Sequence, residues 1–388
     1  MKVQIDRDVL LQGVSRTQGI VERRGTLPIL GNILLAAGID QIYISATDLE
    51  VSFRGSYPAQ VQEEGQLTVP AVSFFNIIRE LPSAPIDLQD TDNANLIIQV
   101  EEARYQLMGL PADQFPPLPS GDTQELVPIE TQMLKEMMER TSFSVSGDDL
   151  QYHLAGVYVE KITENDIIKL RLVSTDGHRL SLIDREFPGA DQFAFAEGII
   201  IPRKGIAEMQ RVLADAEQCF LGLDRKTLTL KLDNKFLFVR LLDKKFPDYR
   251  RIIPEEFRLQ IFLPRRELFE ALRRLSQLSS DRFKGVVLKF NPDLLEIQYV
   301  NPEVGEGRER LALWVTKSEA VESPEAETSE PLAELPMEIG FNARYLLEPL
   351  AVMGSDRVVV QINDKDKPCR LQGEDDADYF CIIMPMSL

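Results

Sequence analysis

The sequence predicts a mixed α+β protein that consists of three similar domains. Three observations support this fold class. A segment with apolar residues at helical spacing occurs three times, a second such segment follows each one at a similar distance, and stretches with alternating apolar residues lie between and after them. Each domain is therefore expected to contain two helices and two groups of antiparallel strands. A repeat of about 130 residues is too long for a solenoid, which favours separate homologous domains.

The first helix of each domain is expected to be amphipathic. In the third copy, Leu268, Leu272 and Leu275 recur at positions i, i+4 and i+7, so they lie on one stripe of the helix. Polar and basic residues occupy the opposite face of this helix. The three predicted segments are residues 5–21, 129–145 and 263–279.

The second helix of each domain is predicted in residues 69–81, 201–213 and 340–353. Pro70 and Pro202 stand at the start of the first two, where the missing N–H of proline costs a helix nothing. Stretches of alternating apolar residues, separated by Gly, Asn-Pro or Glu-Asn breaks, favour β-strands. These stretches are residues 32–55, 96–110, 157–183, 227–242, 285–300, 357–373 and 379–386.

Short local matches set the register of the repeat. The matched dipeptides are Thr47-Asp48 with Thr175-Asp176 and Phe115-Pro116 with Phe246-Pro247. The predicted domains are residues 1–125, 126–255 and 256–388. The third domain contains a stretch, residues 316–336, that has six glutamates, one lysine and few bulky residues. Such a composition cannot bury enough apolar surface to order itself, so we expect an exposed acidic loop.

Composition excludes several classes of protein. The chain has 388 residues with 43 Lys plus Arg and 62 Asp plus Glu, which gives a formal net charge of -19. This sign argues against a duplex-DNA binder whose whole surface is basic, but it does not forbid a small basic region. Two histidines and three cysteines without a CxxC pattern cannot build a zinc cluster, and we predict no metal and no cofactor. Because no signal segment or long apolar run occurs, we expect a cytoplasmic protein without a membrane span.

Residues 175–179 (TDGHR) are the cluster that most resembles a catalytic site. Adjacent strand residues point to opposite faces, so a strand-end turn that Gly177 permits is the favoured interpretation. Neither a GxSxG nor a P-loop pattern is present. Acidic pairs at Asp148-Asp149 and Asp375-Asp376 could hold Mg²⁺, and a metal-dependent nuclease is therefore the alternative hypothesis. Composition alone favours a binding or scaffold protein.

The C-terminal segment is apolar, whereas chain termini are usually polar and frayed. Its residues YFCIIMPMSL include Met384 and Met386. These methionines either complete the core of the third domain or form an exposed and adaptable binding surface, and the residues alone leave both interpretations open.

Seven short motifs, in order along almost the whole chain, resemble those of a known family. They are TLPILGNILL (26–35), TDLE (47–50), TDGHRL (175–180), IPRKG (201–205), FPDYRRIIP (246–254), GFNARYLL (340–347) and MPMSL (384–388). The family is the β subunit of bacterial DNA polymerase III, the sliding clamps. This resemblance implies a non-enzymatic processivity factor of DNA replication that encircles double-stranded DNA.

The resemblance also implies the DNA clamp fold. Two chains of such a clamp join head to tail into a closed ring of six domains, with helices on the inner wall and sheets outside. When DNA is held by topology, weak and sequence-independent contacts with phosphates suffice, so the net acidity of the chain is no obstacle. The basic residues expected to line the hole are Arg16, Lys135, Arg140, Arg266, Arg273 and Arg274.

The resemblance further implies a hydrophobic cleft between the middle and third domains that binds short peptides of partner proteins. The implied partners are the DNA polymerase III α subunit, the clamp-loader δ subunit, and other polymerases and repair proteins. The implied cleft residues are Leu154, Thr175, Gly177, His178, Arg179, Leu180, Pro247, Arg251, Ile252, Asn342, Tyr345, Ile382, Met384, Pro385 and Met386.

Two further sets of residues follow from the resemblance. The implied DNA contacts are Arg24, Tyr152, His153, Arg203 and Lys204. Tyr152 is of a type that stacks on unpaired bases. In the implied homodimer, the first domain of one chain meets the third domain of its partner. The interface residues are Tyr105, Leu107, Leu278, Glu303 and Glu306.

Overall fold

The structure is a computed structural model, and it describes residues 1–22, 25–91, 93–119, 125–148, 150–193, 195, 198–214, 216–223, 226–280, 282–317 and 335–386. Six α-helices occur in these ranges. They are α1 (Arg7–Ser15), α2 (Ala71–Glu80), α3 (Thr131–Glu139), α4 (Arg203–Leu213), α5 (Arg265–Leu275) and α6 (Ala343–Val352). Each one lies within one of the six segments that the sequence predicts to be helical.

The strands account for most of the remaining chain. The first half contains β1 (Lys2–Asp6), β2 (Asn32–Ala37), β3 (Gln41–Thr47), β4 (Val51–Pro58), β5 (Gln60–Glu63), β6 (Gly65–Pro70), β7 (Pro85–Asp90), β8 (Asn95–Val100), β9 (Ala103–Met108), β10 (Val127–Glu130), β11 (Gly156–Glu164), β12 (Ile167–Thr175) and β13 (Arg179–Glu186). The second half contains β14 (Ile199–Pro202), β15 (Gln218–Leu223), β16 (Thr227–Leu232), β17 (Lys235–Arg240), β18 (Leu259–Pro264), β19 (Gly285–Phe290), β20 (Leu294–Asn301), β21 (Gly305–Ala312), β22 (Trp314–Lys317), β23 (Met337–Asn342), β24 (Arg357–Ile362), β25 (Cys369–Gly373) and β26 (Asp376–Ile383).

Every helix begins at the residue that follows a strand, which gives the fold one repeated strand-to-helix junction. At α1 the side chain of Asp6 caps the junction, because its carboxylate accepts hydrogen bonds from the N–H groups of Asp8 and Val9. Pro70 and Pro202 are the last strand residues before α2 and α4 rather than the first helical residues. All six predicted helical segments therefore begin two or three residues too early.

The packing of Cα atoms divides the chain into two compact units. The first unit comprises Met1–Lys135 and Phe187–Asp243, and the second comprises Glu136–Glu186 and Lys244–Leu388. Each unit thus combines segments that are distant in sequence.

The first unit contains two antiparallel sheets. One has the strand order β5-β1-β7-β8-β9, and the other has the order β10-β15-β16-β17-β4-β3-β2-β6. The larger sheet joins strands of two sequence repeats, since Leu237 of β17 pairs with Phe53 of β4. Both of these side chains are fully buried, so the junction belongs to the core.

The second unit also contains two sheets. Eight of its strands lie side by side in the order β11-β12-β13-β26-β25-β24-β18-β22, and four others have the order β21-β20-β19-β23. The pairing of β13 with β26 connects the repeats here, with Leu180 opposite Ile382. The C-terminal strand is consequently central to a sheet rather than frayed, and its residues from Tyr379 to Ile383 are buried.

Two turns confirm the register of the repeat. In the turn at residues 47–51, the Thr47 hydroxyl accepts a hydrogen bond from the N–H of Leu49. In the turn at 175–179, the Thr175 hydroxyl accepts one from the N–H of Gly177 in the same way. Leu49 and Gly177 both have positive φ, at 75° and 87°. The two turns share one backbone conformation, which Gly177 adopts without the strain that Leu49 bears.

The predicted acidic loop lies mostly outside the described residues. Its first two residues, Thr316 and Lys317, belong to β22, which corrects the predicted start of the loop. The structure describes the chain again from Leu335, just before β23. Across the ranges given above, no helix combines the length and the apolar character that a membrane span requires.

Candidate peptide-binding cleft

The turn at residues 175–179 is the centre of the candidate cleft and is held by its own side chains. The carboxylate of Asp176 accepts hydrogen bonds from the N–H groups of His178 and Arg179, at 3.0 and 3.1 Å. The hydroxyl of Thr175 donates to the carbonyl of Arg179 at 2.6 Å. These residues serve the geometry of a strand-end turn, as predicted, and leave His178 exposed at its tip.

The end of β26 lies directly beside this turn. The N–H of Met384 donates to the carbonyl of His178 at 2.9 Å, and the N–H of Met386 donates to the carbonyl of Gly340 at 2.8 Å. The side chains of Met384 and Met386 are 37% and 42% exposed. The backbone of this segment is thus fixed while its methionine side chains face solvent. Their exposure argues against the interpretation that these methionines complete the core of the third domain, and the binding surface stays a prediction.

Arg179 joins the turn to two other elements. Its side chain is only 6% exposed and forms ion pairs with Asp176, at 3.0 Å, and with Glu348 of α6. The guanidinium carbon lies 4.5 Å from the ring centroid of Tyr345 and 5.4 Å from that of Phe143. A buried charge with two carboxylate partners and two aromatic faces is held in one position.

The N-terminal turn of α6 forms another side of the cleft. The side chain of Asn342 caps the helix by accepting a hydrogen bond from the N–H of Arg344 at 3.0 Å. Tyr345 follows one turn later, half-buried, and burial raises the pKa of its hydroxyl. Tyr345 is therefore a neutral, largely apolar surface at neutral pH.

The segment that contains Pro247, Arg251 and Ile252 packs on the sheet through its aromatic residues. The ring of Phe246 stacks on Tyr158 of β11 with centroids 4.8 Å apart. By the strand pairing, Tyr158, Val173 and Leu182 form one row on the same face of the sheet. Pro247, Arg251 and Ile252 themselves remain exposed and so form an outer rim.

A buried polar network fixes the same segment. Arg171 forms a two-pronged pair with Asp184, at 2.7 and 2.6 Å, and donates to the hydroxyl of Tyr249 at 3.1 Å. Tyr249 in turn donates to the carboxylate of Glu160. Burial raises the pKa of Tyr249 well above its ordinary value, so the hydroxyl stays a donor at all physiological pH.

The candidate cleft residues thus lie on connected elements of the second unit. The turn at 175–179, the end of β26 and the start of α6 are joined by the contacts above, and Leu180 pairs with Ile382 beneath them. Leu154 is buried at the end of a short 3-10 turn, Tyr152–Leu154, that leads into β11. Sequence reasoning missed Glu348 and Phe143, because neither carries a local signal for a contact with Arg179.

The candidate DNA-binding residues differ in whether their side chains are exposed or already engaged by other groups of the protein. Tyr152 is 63% exposed, and His153 and Arg203 are exposed as well. Lys204 is instead engaged by the buried carboxylate of Asp48 and by the carbonyl of Ile20. Arg24 lies outside the described residues. Lys204 is consequently a poorer phosphate ligand than the sequence suggested.

The basic residues expected on the inner helix faces also differ in exposure. Arg140 is largely buried, where it pairs with Glu136 and Asp376 and lies over the ring of Tyr379 at 4.9 Å. Its predicted place on a free helix face is therefore wrong. Arg273, by contrast, is exposed on α5.

The candidate dimer residues lie at two sheet edges. Tyr105 and Leu107 belong to β9, the last strand of its sheet, and Glu306 belongs to β21, the last strand of another. Leu278 lies on the short 3-10 helix Ser276–Leu278 after α5. Glu303 lies in the turn before β21 rather than on the strand itself.

One carboxylate of each acidic pair is engaged in structural contacts. Asp376 accepts hydrogen bonds from Arg140 and Arg185, and Asp148 accepts one from the N–H of Leu150. Asp149 lies outside the described residues. In the ranges that the structure covers, no group of three or more His, Cys, Asp or Glu side chains could hold a metal ion.

A turn fixed by hydrogen bonds beside two exposed methionines, on a scaffold of repeated α+β domains, is typical of a protein that docks other molecules. Three family models match the chain in succession: the N-terminal domain of the DNA polymerase III beta subunit over residues 1–119, its central domain over 128–248, and its C-terminal domain over 250–387.

Curated relatives and solved structures agree with these matches. The chain is 35% identical to the beta sliding clamp of Pseudomonas putida and 32% identical to that of Caulobacter vibrioides, with 100% of both chains covered in each case. Among solved structures, the C. crescentus beta sliding clamp has a TM-score of 0.91 at 31% identity, covering 100% of this chain and 99% of the other. The clamp of Bartonella birtlesii, bound to griselimycin, has a TM-score of 0.90 at 30% identity, with 100% of both chains covered.

The chain belongs to the DNA polymerase III beta subunit family, the beta sliding clamps. Its fold is the three-domain sliding clamp fold. It is a non-catalytic processivity factor of DNA replication, a clamp that tethers the polymerase to DNA.

Proposed function

We propose that two copies of the chain join head to tail into a closed ring that holds double-stranded DNA by topology. Three consecutive family matches support a division into the domains 1–125, 126–255 and 256–388. Two strands at sheet edges, β9 and β21, offer unpaired backbone groups that can pair across a subunit interface. The residues assigned to this interface are Tyr105, Leu107, Leu278, Glu303 and Glu306.

The ring works in the cytoplasm and contacts DNA weakly. Sequence-independent binding depends on phosphate contacts, which a mobile clamp needs only in small number. The exposed side chains of Tyr152, His153 and Arg203 support such contacts, with Arg24 and Lys204 as further members of the set.

The second element of the proposal is that the cleft around residues 175–179 binds a short apolar peptide of partner proteins. One observation carries it: the exposed methionines Met384 and Met386 lie on a backbone that hydrogen bonds fix to His178 and Gly340. A surface whose backbone is already fixed and whose side chains are adaptable binds varied apolar peptides at a reduced ordering cost. The partners are the DNA polymerase III α subunit, the clamp-loader δ subunit, and other polymerases and repair proteins.

Substitution of Met384 by alanine tests the cleft. We expect Met384→Ala to weaken binding of the α-subunit peptide about fivefold or more, since it removes a central apolar contact worth about 1 kcal/mol or more. The measurement is fluorescence anisotropy with the labelled peptide. The dimer should stay intact, because Met384 is not among the interface residues.

Ile39→Ala is the matched control. Ile39 is 85% exposed in the first unit, so the change removes a comparable apolar side chain away from the cleft. We expect it to leave the peptide affinity unchanged. If Met384→Ala bound the peptide as tightly as the Ile39 variant does, the cleft assignment would be wrong.

A further inference from the structure

The face of the sheet that carries Ile382 continues onto two further strands. In the register of the sheet, Ile382 of β26 lies opposite Arg370 of β25, and Arg370 lies opposite Gln361 of β24. Residues paired in an antiparallel ladder project from the same face. The side chain of Arg370 therefore neighbours a cleft residue on the same face of the sheet.

Arg370 carries a charge without a carboxylate partner. Its guanidinium carbon lies 3.9 Å from the ring centroid of Phe380, which is two residues before Ile382 on β26. Its Nε is shielded from solvent and has no hydrogen-bond partner. Among the described residues, no carboxylate lies within ion-pair distance of it. Burial lowers the pKa of Arg370 below its ordinary value.

Four other partly buried arginines of the same unit contact a carboxylate directly, as expected for a guanidinium that has lost part of its hydration. The pairs are Arg171 with Asp184, Arg179 with Asp176, Arg185 with Asp376 and Arg140 with Glu136. Arg370 differs from these four arginines, because no described residue supplies a carboxylate to it and its Nε has no hydrogen-bond partner.

The next residue of the row is also incompletely paired. The amide oxygen of Gln361 is buried and accepts no hydrogen bond. An acidic residue of a bound peptide supplies a carboxylate for the guanidinium of Arg370, whereas a neutral peptide supplies none.

We propose that Arg370 forms a carboxylate-binding subsite beside the peptide cleft and thereby selects partner peptides that carry an acidic residue next to their apolar residues. This inference rests on the proposed peptide-binding function. Hydrogen bonds between arginine and carboxylate are charge-assisted, and the ring of Phe380 holds the guanidinium plane in place for them. Because the charge is already partly desolvated, binding of a carboxylate costs little further dehydration.

The test uses the full-length protein and labelled peptides. The α-subunit peptide is extended at either end by one Asp or, as a neutral isosteric control, by one Asn, and affinities are measured by fluorescence anisotropy. We expect that, when the added residue is at one of the two peptide ends, the peptide with Asp binds about tenfold more tightly than the peptide with Asn, as for one charge-assisted hydrogen bond. Arg370→Gln should reduce this ratio to about one.

Arg357→Gln serves as the control for charge alone. It removes a positive charge from β24, where Arg357 pairs with Glu374 at 2.7 Å, and should keep the full ratio. Equal binding of the Asp and Asn peptides to the unsubstituted protein at both ends would overturn the subsite, and so would a ratio that survives Arg370→Gln. Met384→Ala separates the two proposals. If this variant binds every peptide as tightly as the unsubstituted protein does, the cleft assignment is wrong. If only the Arg370 subsite is wrong, Met384→Ala still weakens the binding of every peptide.

Discussion

Arg179 connects three elements of the second unit: β13, the 3-10 turn that contains Phe143, and α6. Its ion pairs with Asp176 and Glu348 are largely shielded from solvent. Removal of one partner from such a network leaves opposite charges uncompensated in a poorly hydrated site. The cleft therefore depends on Arg179 for the position of its walls as well as for any contact with a peptide.

Arg179→Ala is expected to lower the free energy of unfolding by about 3–5 kcal/mol, the range for a broken buried ion pair. Arg251→Ala, in the same cleft, is expected to cost less than about 1 kcal/mol, because exposed pairs contribute little. The side chain of Arg251 is 82% exposed and pairs with Asp248 in solvent. Urea unfolding of both variants measures the difference, and equal midpoints would contradict the structural role of Arg179.

Single residues of the site were predictable only where a motif carries them. The turn at 175–179 and the terminal methionines stand in motifs that resemble the family, and the structure brings them together. Glu348 and Arg370 had no such signal. Glu348 lies 169 residues from Arg179 in sequence, and Arg370 meets Ile382 only through strand pairing. Contacts of this kind arise from the tertiary fold and leave no local pattern in the sequence.

At the scale of elements, α5 shows how one helix serves both packing and charge. Leu268, Leu272 and Leu275 are buried, which confirms the predicted apolar stripe. On the exposed side, Arg274 makes a two-pronged contact with Glu309, at 2.8 and 2.5 Å. Arg273 has no ion pair in the ranges that the structure describes. The two neighbouring arginines therefore differ in their availability for DNA phosphates.

Arg273→Gln is expected to reduce the salt dependence of DNA binding. One lost phosphate contact lowers the slope of log K against log salt by about 0.9. Arg274→Gln should change the slope less, because Glu309 already neutralises that guanidinium. Binding of duplex DNA measured at several salt concentrations tests this order, and a larger effect from Arg274→Gln would contradict it.

The sequence predicted all six helices but not their first residues. Before α1, Val3 and Ile5 alternate with polar residues as in a strand, while Leu10 and Val14 continue at helical spacing. An apolar residue at such a boundary fits both the two-residue period of a strand and the 3.6-residue period of a helix. The pattern alone therefore cannot locate the junction between β1 and α1. The cap at Asp6 decides it, because its side chain stabilises the first N–H groups of the helix.

At the scale of the whole molecule, the pairing between repeats was beyond the reach of local patterns. β17 pairs with β4 in the first unit, and β13 pairs with β26 in the second. Each pairing joins strands of different repeats into one sheet. Alternation predicts that a strand exists but not which partner it chooses, since the partner is set by burial of both faces in the folded chain.

The net charge of -19 is compatible with a clamp on DNA. A protein that holds DNA by encircling it needs no extended basic surface, because release is prevented by closure of the ring rather than by phosphate contacts. The tethered polymerase then stays at a high effective concentration near its template. This account places the function in the topology of the assembly rather than in any single site.

The most direct test of this account is retention on circular DNA. The protein is loaded by its clamp loader onto nicked circular DNA, separated from unbound protein by gel filtration in high salt, and then followed after the circle is cut once. We expect the protein to stay on the circle and to leave within minutes after linearisation, as a ring that slides off a free end. Retention of the protein on the linearised DNA, or equal loss of the protein from circular and linear DNA, would contradict topological binding.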